Sequence, residues 1–115
     1  MRVRYRFRLD DAGEARERRF VRNVGDWPFP SLPAPGDVVI IDVPSSGGGL
    51  SARRQDDVTV WEPESAVFIE GRPVHRVVYS AATTEAFIEL RADGLGGDVD
   101  AQVAVLMRAG FHEAA

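Results

Sequence analysis

Two residue types are missing from this 115-residue chain: it has no cysteine and no lysine. The first absence excludes disulfides, thiolate catalysis and zinc held by thiolates. The second means that all fourteen basic side chains are arginine. Alanine, glycine and valine are abundant as well, the codon usage of a GC-rich bacterial genome. Arginine in place of lysine is therefore no sign of selection for bidentate phosphate contacts. Long apolar runs are also lacking. A run such as Val38 to Ile41 is far short of a membrane span. The first twenty residues hold seven arginines and no apolar segment, which is not a signal-peptide pattern. The expected location is the cytoplasm, with no membrane partner.

What is present is the composition of an ordinary globular protein, 44% hydrophobic and 28% charged. The length fits one domain over residues 1–115, enough to close a core without staples. The net charge of −4 weighs against a generic nucleic-acid binder. The charge is unevenly spread: residues 1–24 hold eight arginines and four acids, residues 25–115 six arginines and fourteen acids. A basic end of this kind either marks an anion-binding face or pairs with the acidic remainder, within one chain or across a dimer.

Residues 2–9 alternate strictly between arginine and an apolar residue. Alternation puts Val3, Tyr5, Phe7 and Leu9 on one face of a strand and Arg2, Arg4, Arg6 and Arg8 on the other. Asp10 to Glu14 has turn composition, and a second strand up to Val24 completes a hairpin over 1–24. A helix over 11–22 is the rival reading. It would carry only Phe20 and Val21 as large apolar residues, too few for an amphipathic face.

A proline-rich connector follows over 25–36, with Trp27, Phe29 and Leu32 expected to pin it to the core. Its Pro30-Ser31-Leu32-Pro33 fits a PxxP core, but the flanking aromatics favour a strap within the chain. Pro35-Gly36 suits the middle of a type II turn, and Val38 to Val43 reads as a strand buried on both faces. The stretch Leu32-Pro33-Ala34-Pro35-Gly36-Asp37-Val38-Val39 resembles the opening of an SH3-like small barrel strand. That resemblance implies architecture only and carries no functional residues.

Residues 44–57 read as a loop, and Val58 to Trp61, Ala66 to Glu70, Val74 to Ser80 and Glu85 to Arg91 as further strands. Gly71-Arg72-Pro73 reads as a turn. Over 98–111 an amphipathic helix is expected, with Asp98 as N-cap, Asp100 in the first turn and Gly110 near its end. Val99, Val103, Leu106, Met107 and Phe111 share its apolar face. The predicted fold is α+β and mainly β: a strongly bent antiparallel sheet over 37–91 with the hairpin, or an SH3-like small open barrel. About five to six strands and one C-terminal helix are expected.

Chemistry-bearing residues are sparse. Seven arginines, Arg2, Arg4, Arg6, Arg8, Arg16, Arg18 and Arg22, are the candidate anion- or partner-binding set, as one cationic hairpin face. A solvated outer face explains them as well, with arginine stems covering apolar surface, and Tyr5 and Phe7 lie on the wrong side to stack a base. The glycines at 47–49 lack the ending of a P-loop. Asp93, Asp98 and Asp100 would repel an anion and do not have the spacing of a calcium loop. His75 and His112 supply no triad and no zinc site. No cofactor, metal or catalytic residue is expected. A cleft gathering His75 with two carboxylates would bring an enzyme back into consideration. The expected function is a small protein-interaction or ligand-binding module, its partner another protein or a second copy of the chain. The alternative is nucleic-acid binding through the arginine-rich hairpin face.

Overall fold

A computed structural model describes residues 1–11, 13, 16–42, 50–63, 68–93 and 95–114, with the backbone alone for Asp42, Pro63 and 68–70. The elements in chain order are β1 (Arg2–Asp11), β2 (Arg16–Asp26), β3 (Val38–Asp42), β4 (Leu50–Gln55), β5 (Val58–Pro63), β6 (Phe68–Ser80), β7 (Glu85–Leu90), α1 (Val99–Arg108) and β8 (His112–Ala114). The strands form one open sheet in the order β4-β5-β3-β6-β7-β1-β2-β8. The chain is therefore α+β and mainly β. The eight strands exceed the five or six expected, and two pairs, β1 with β7 and β3 with β5, run parallel in what was expected to be an antiparallel sheet.

The alternation of residues 2–9 does what a strand requires. Val3, Tyr5, Phe7 and Leu9 are all buried, while the arginines between them are not. Strand β2 begins at Arg16 and pairs with β1 from Arg2↔Asp26 to Asp11↔Arg16, so the hairpin holds and the helix over 11–22 does not form. Residues 12, 14 and 15 of its turn lie outside the described residues.

Strand β6 joins the two halves of the sheet. Residues 68–73 pair with β3 and residues 74–80 with β7. The expected turn at Gly71-Arg72-Pro73 is instead continuous strand. The approach is close: a Cβ at Gly71 would stand 3.0 Å from Ile40 Cδ1 and 3.2 Å from Val38 Cγ1, and those side chains would have to give way to hold it. Pro73 sits where β6 changes partner, the place in a strand that best tolerates a missing N–H, and its carbonyl accepts from Arg91 N at 3.0 Å.

The proline-rich connector is fastened by Asp37. Gly36, at φ 92°, occupies the third position of a turn closed by Asp37 N donating to Ala34 O at 3.0 Å, as a type II turn demands. The buried Asp37 carboxylate accepts from Ala34 N (2.9 Å), Thr59 N (3.1 Å) and Trp61 Nε1 (3.2 Å). Its backbone exchanges bonds with Val74 of β6 through Val74 N to Asp37 O, 2.7 Å, and Gly36 N to Val74 O, 2.9 Å. Over this hub Trp27, Phe29 and Trp61 pack edge to face or tilted, with ring centroids 5.0 to 5.8 Å apart. Trp27 is buried and Phe29 and Leu32 are partly buried against the core, so the connector is a strap.

Residues 50–55, expected in a loop, form β4. The signal missed was the turn: Asp56 and Asp57 both take positive φ, 50° and 66°, the type I′ geometry that matches the twist of a two-residue hairpin. Helix α1 is capped by Asp98, whose side chain accepts from Ala101 N at 2.9 Å. It ends three residues earlier than expected, at Arg108. Leu106, Ala109 and Phe111 enter the core beside Phe7, whereas Met107 points to solvent. Among the described residues no helix is long and apolar enough to cross a membrane. The glycines at 47–49 lie outside the described residues.

Removing the Asp37 carboxylate leaves two backbone N–H groups and an indole N–H without their acceptor. Asp37→Ala is expected to cost about 3 kcal/mol in urea unfolding, and Trp fluorescence should report loosening of the Trp27–Trp61 packing.

Candidate functional site

Residues directly opposite one another on paired strands share a face, so the register decides where every arginine points. On the outer face, away from the core, stand Arg2, Arg4, Arg6 and Arg8 of β1, Glu85, Phe87 and Glu89 of β7, Arg76 of β6, and Glu17 and Arg19 of β2. Arg16, Arg18 and Arg22 do not join them. They lie opposite Asp11, Leu9 and Tyr5, on the inner side of the hairpin. The single cationic hairpin face of seven arginines is thus corrected. From Arg4↔Asn23 to Asp11↔Arg16 the antiparallel register is continuous, and over that stretch even-numbered residues fall inward on β2 but outward on β1.

The three inward arginines have structural work. Arg18 donates from Nε and Nη2 to Glu113 of β8 at 3.0 and 2.8 Å, reaches Asp11 at 3.5 Å and stacks 5.5 Å above the Phe20 ring. Arg16 stands 3.9 Å from Glu113. Arg22 donates to Ala109 O at 3.2 Å, a cation placed at the negative end of α1. The Arg18 hydrogen bond, with the charges of Arg18 and Arg16, holds the Glu113 carboxyl below its ordinary pKa despite some desolvation.

On the outer face the carboxylates lie beneath the cations. Glu89 accepts from Arg6 and from Arg76 Nε at 3.1 Å, and Arg8 Nε stands 2.9 Å from its other oxygen. Glu85 has Arg4 at 3.6 Å and Arg2 at 3.7 Å. Glu17 lies between Arg19 at 3.1 Å and Arg8 at 3.6 Å. The side chains of Glu89 and Glu85 are only 3% and 9% exposed, against 58% for Arg2 and 48% for Arg76. Burial is the largest single influence on the Glu89 carboxyl and raises its pKa. The hydrogen bond and charge of Arg6, the hydrogen bond of Arg76 and the charge of Arg8 together outweigh it and bring the pKa below the usual value. The guanidinium of Arg6 also lies 4.8 Å over the Phe87 ring. The Nε–H groups of Arg4 and Arg6 are buried and meet no acceptor among the described residues, so this face has more donors than acceptors.

At the end of β1 an open depression of about 490 Å³ is lined by Arg8, Asp10, Glu17, His75, Glu89 and Arg91, among others. His75 is placed there by an irregularity in β6, where the pairing with β7 shifts between Val74 and Arg76. This gathers His75 with four carboxylates, Asp10, Glu17, Glu89 and Asp93, the kind of set that general acid–base chemistry draws on. Two of these, Glu89 and Glu17, are committed to arginines. Glu89 answers three guanidinium groups, which hold its pKa below the usual value and make it a poor proton acceptor near neutrality, and Glu17 stands within salt-bridge distance of two. Among the described residues no group of three or more histidine, aspartate or glutamate side chains is arranged to hold a metal ion.

The sequence analysis missed Glu85, Glu89 and Arg76. Their own strands show alternation, with Glu85, Phe87 and Glu89 two residues apart, but nothing local says which strand lies beside them. No protein family, no curated protein and no solved structure matches the chain.

A carboxyl whose folded pKa lies below its unfolded value adds stability that is complete above the unfolded pKa, about 4, and is lost as pH falls through the folded one. Asp37 belongs with Glu89 here: burial raises its pKa, and its hydrogen bonds from Ala34, Thr59 and Trp61 with the charge of Arg54 lower it overall. Wild-type stability should therefore fall steeply in acid below about pH 4. Glu89→Gln should lower stability at pH 7 by about 3 kcal/mol, the lower end of what breaking a buried ion pair costs, and should flatten the acid limb. Chemical denaturation from pH 7 to pH 3 reads both.

Proposed function

We propose that the protein is a small interaction module whose arginine face, on β1, β7 and β6, holds an acidic segment of a partner protein. The observation that carries the reading is the layering of charge. Two of the carboxylates that balance the face, Glu85 and Glu89, are sunk beneath it, while Glu17 stands exposed at its β2 side, so over β1, β7 and β6 solvent meets guanidinium groups. The helix packs on the opposite side of the sheet. A surface of exposed guanidinium groups suits carboxylates, which take Arg forks in bidentate fashion.

Nucleic acid is the competing polyanion. Three features favour protein over it. The chain as a whole carries −4, which opposes a long uniform polyanion. Arg16, Arg18 and Arg22 are spent on the inner side of the hairpin. The aromatic ring on the arginine face, Phe87, is already covered by Arg6 and offers no platform for a base. An SH3-like description of the bent sheet belongs to the same proposal, supported by the Pro35-Gly36-Asp37 turn into β3.

The test uses fluorescence anisotropy with a labelled glutamate-rich peptide and, separately, mixed-sequence single- and double-stranded DNA, each at low and at high salt. The peptide should bind, more weakly as salt rises. Arg2→Gln with Arg4→Gln should weaken it tenfold or more, because these two side chains are the least tied down by Glu89. DNA binding tighter than the peptide, or peptide binding indifferent to the double substitution, would overturn the reading.

A further inference from the structure

We propose that the free edge of β4 is a self-association site at which a second copy of the chain adds its own β4 antiparallel, with Ala52 on the two-fold axis. This surface is separate from the arginine face and does not depend on it. Strand β4 ends one side of the sheet and pairs only with β5 among the described residues. Its hairpin closes on a two-residue turn, so the flanking residues Gln55 and Val58 form a hydrogen-bonded pair. Counting back by twos, Gln55, Arg53 and Ser51 turn their backbone groups toward β5. Leu50, Ala52 and Arg54 turn their N–H and C=O groups outward. The opposite edge of the sheet is different: β8 has three residues, too short to template much pairing.

Charge on an edge usually blocks such pairing. Here the hairpin itself restrains both cations. Arg53 donates to Gln55 and to Glu62, the latter at 3.3 Å, and Arg54 donates to Thr59 Oγ1 at 3.2 Å and Asp57 O at 3.1 Å. Cross-strand electrostatics then selects the register. In a two-fold antiparallel pair the register must centre on one residue. Centring on Arg53 or Arg54 places arginine opposite arginine, which is repulsive. Centring on Ala52 places a small residue on the axis, Arg53 opposite Ser51 of the second copy, and Arg54 opposite Leu50, where its stem packs on an apolar neighbour.

The absence of cysteine makes the register directly readable. Residues on the axis of a hydrogen-bonded pair have Cα atoms about 5.5 Å apart, within disulfide reach. Ala52→Cys should therefore form a covalent dimer under mild oxidation. Ser51→Cys alone and Arg53→Cys alone should form far less, while the two mixed together should cross-link. Light scattering on a sizing column should give twice the 12.6 kDa chain mass for the wild type at high concentration. Ala52→Pro should give a single chain, since it removes an outward N–H and leaves the β4–β5 ladder intact. A wild type that stays a single chain at the highest concentration overturns the proposal. So does cross-linking of Ser51→Cys alone as complete as that of Ala52→Cys.

Discussion

The whole structure turns on β1 being paired along both edges. Strand β7 lies parallel on one side and β2 antiparallel on the other. A strand in that position has two faces and no free edge, so four arginines have one direction in which to go. The inner face is taken by Val3, Tyr5, Phe7 and Leu9, which form the centre of the core. The outer face must then carry four guanidinium groups within about 20 Å of strand. Such crowding is repulsive unless acids stand among them. Register supplies these, with Glu85 beside Arg2 and Glu89 beside Arg6. Both acids are placed by the alternation of β7, whose inward residues, Ala86, Ile88 and Leu90, are fully or nearly fully buried. A slip of one residue would turn Glu85 and Glu89 into the core. Core packing and charge neutralisation thus select the same alignment of the two strands.

A second constraint follows from the length of β6. One strand of thirteen residues serves two neighbours in succession, β3 and then β7. The change of partner at Pro73 and Val74 lets the β3–β5–β4 half of the sheet bring Val39, Ile41 and Trp61 into one cluster with Val3 and Phe7. Asp37 fixes that junction from the connector side, because its carboxylate reaches β5 while its backbone reaches β6. The strap of prolines is therefore more than a link between hairpin and sheet. It carries the aromatic side chains that fill the angle between the two halves.

Much of this was legible where the signal is local. The strand at 2–9, its buried parity, the hairpin, the aromatic strap, the Pro-Gly turn and the Asp98 cap all depend on neighbours within a few residues. Three features were not legible, each for a physical reason. Residues 50–55 have mostly exposed side chains and only Leu50 packs against the core, so this edge strand shows no apolar periodicity. Gly71-Arg72-Pro73 has turn composition, and only the approach of Ile40 and Val38 explains the glycine in a strand. The parallel pairing of β1 with β7 joins residues more than eighty positions apart. That last feature decides the candidate site. The sequence places four arginines on one face with confidence in their parity. It cannot place Glu85, Glu89 and Arg76 beside them, or send Arg16, Arg18 and Arg22 to the other side.

A basic face on an acidic chain is a local device, and screening explains how it functions. At physiological salt, charges separated by more than about 8 Å of solvent hardly see one another. The acids elsewhere on the chain therefore do little to cancel the arginine face at contact range, although they disfavour approach by any extended polyanion. Within the face the sunken acids matter more. They neutralise the parts of Arg6 and Arg8 that are out of water and hold the guanidinium groups in fixed positions, which would lower the side-chain entropy lost in the proposed binding of a partner carboxylate. A ladder with acids at its surface and cations beneath would be equally neutral and present the opposite sign. The order of the layers, set by the short reach of glutamate and the long reach of arginine, determines what such a face attracts.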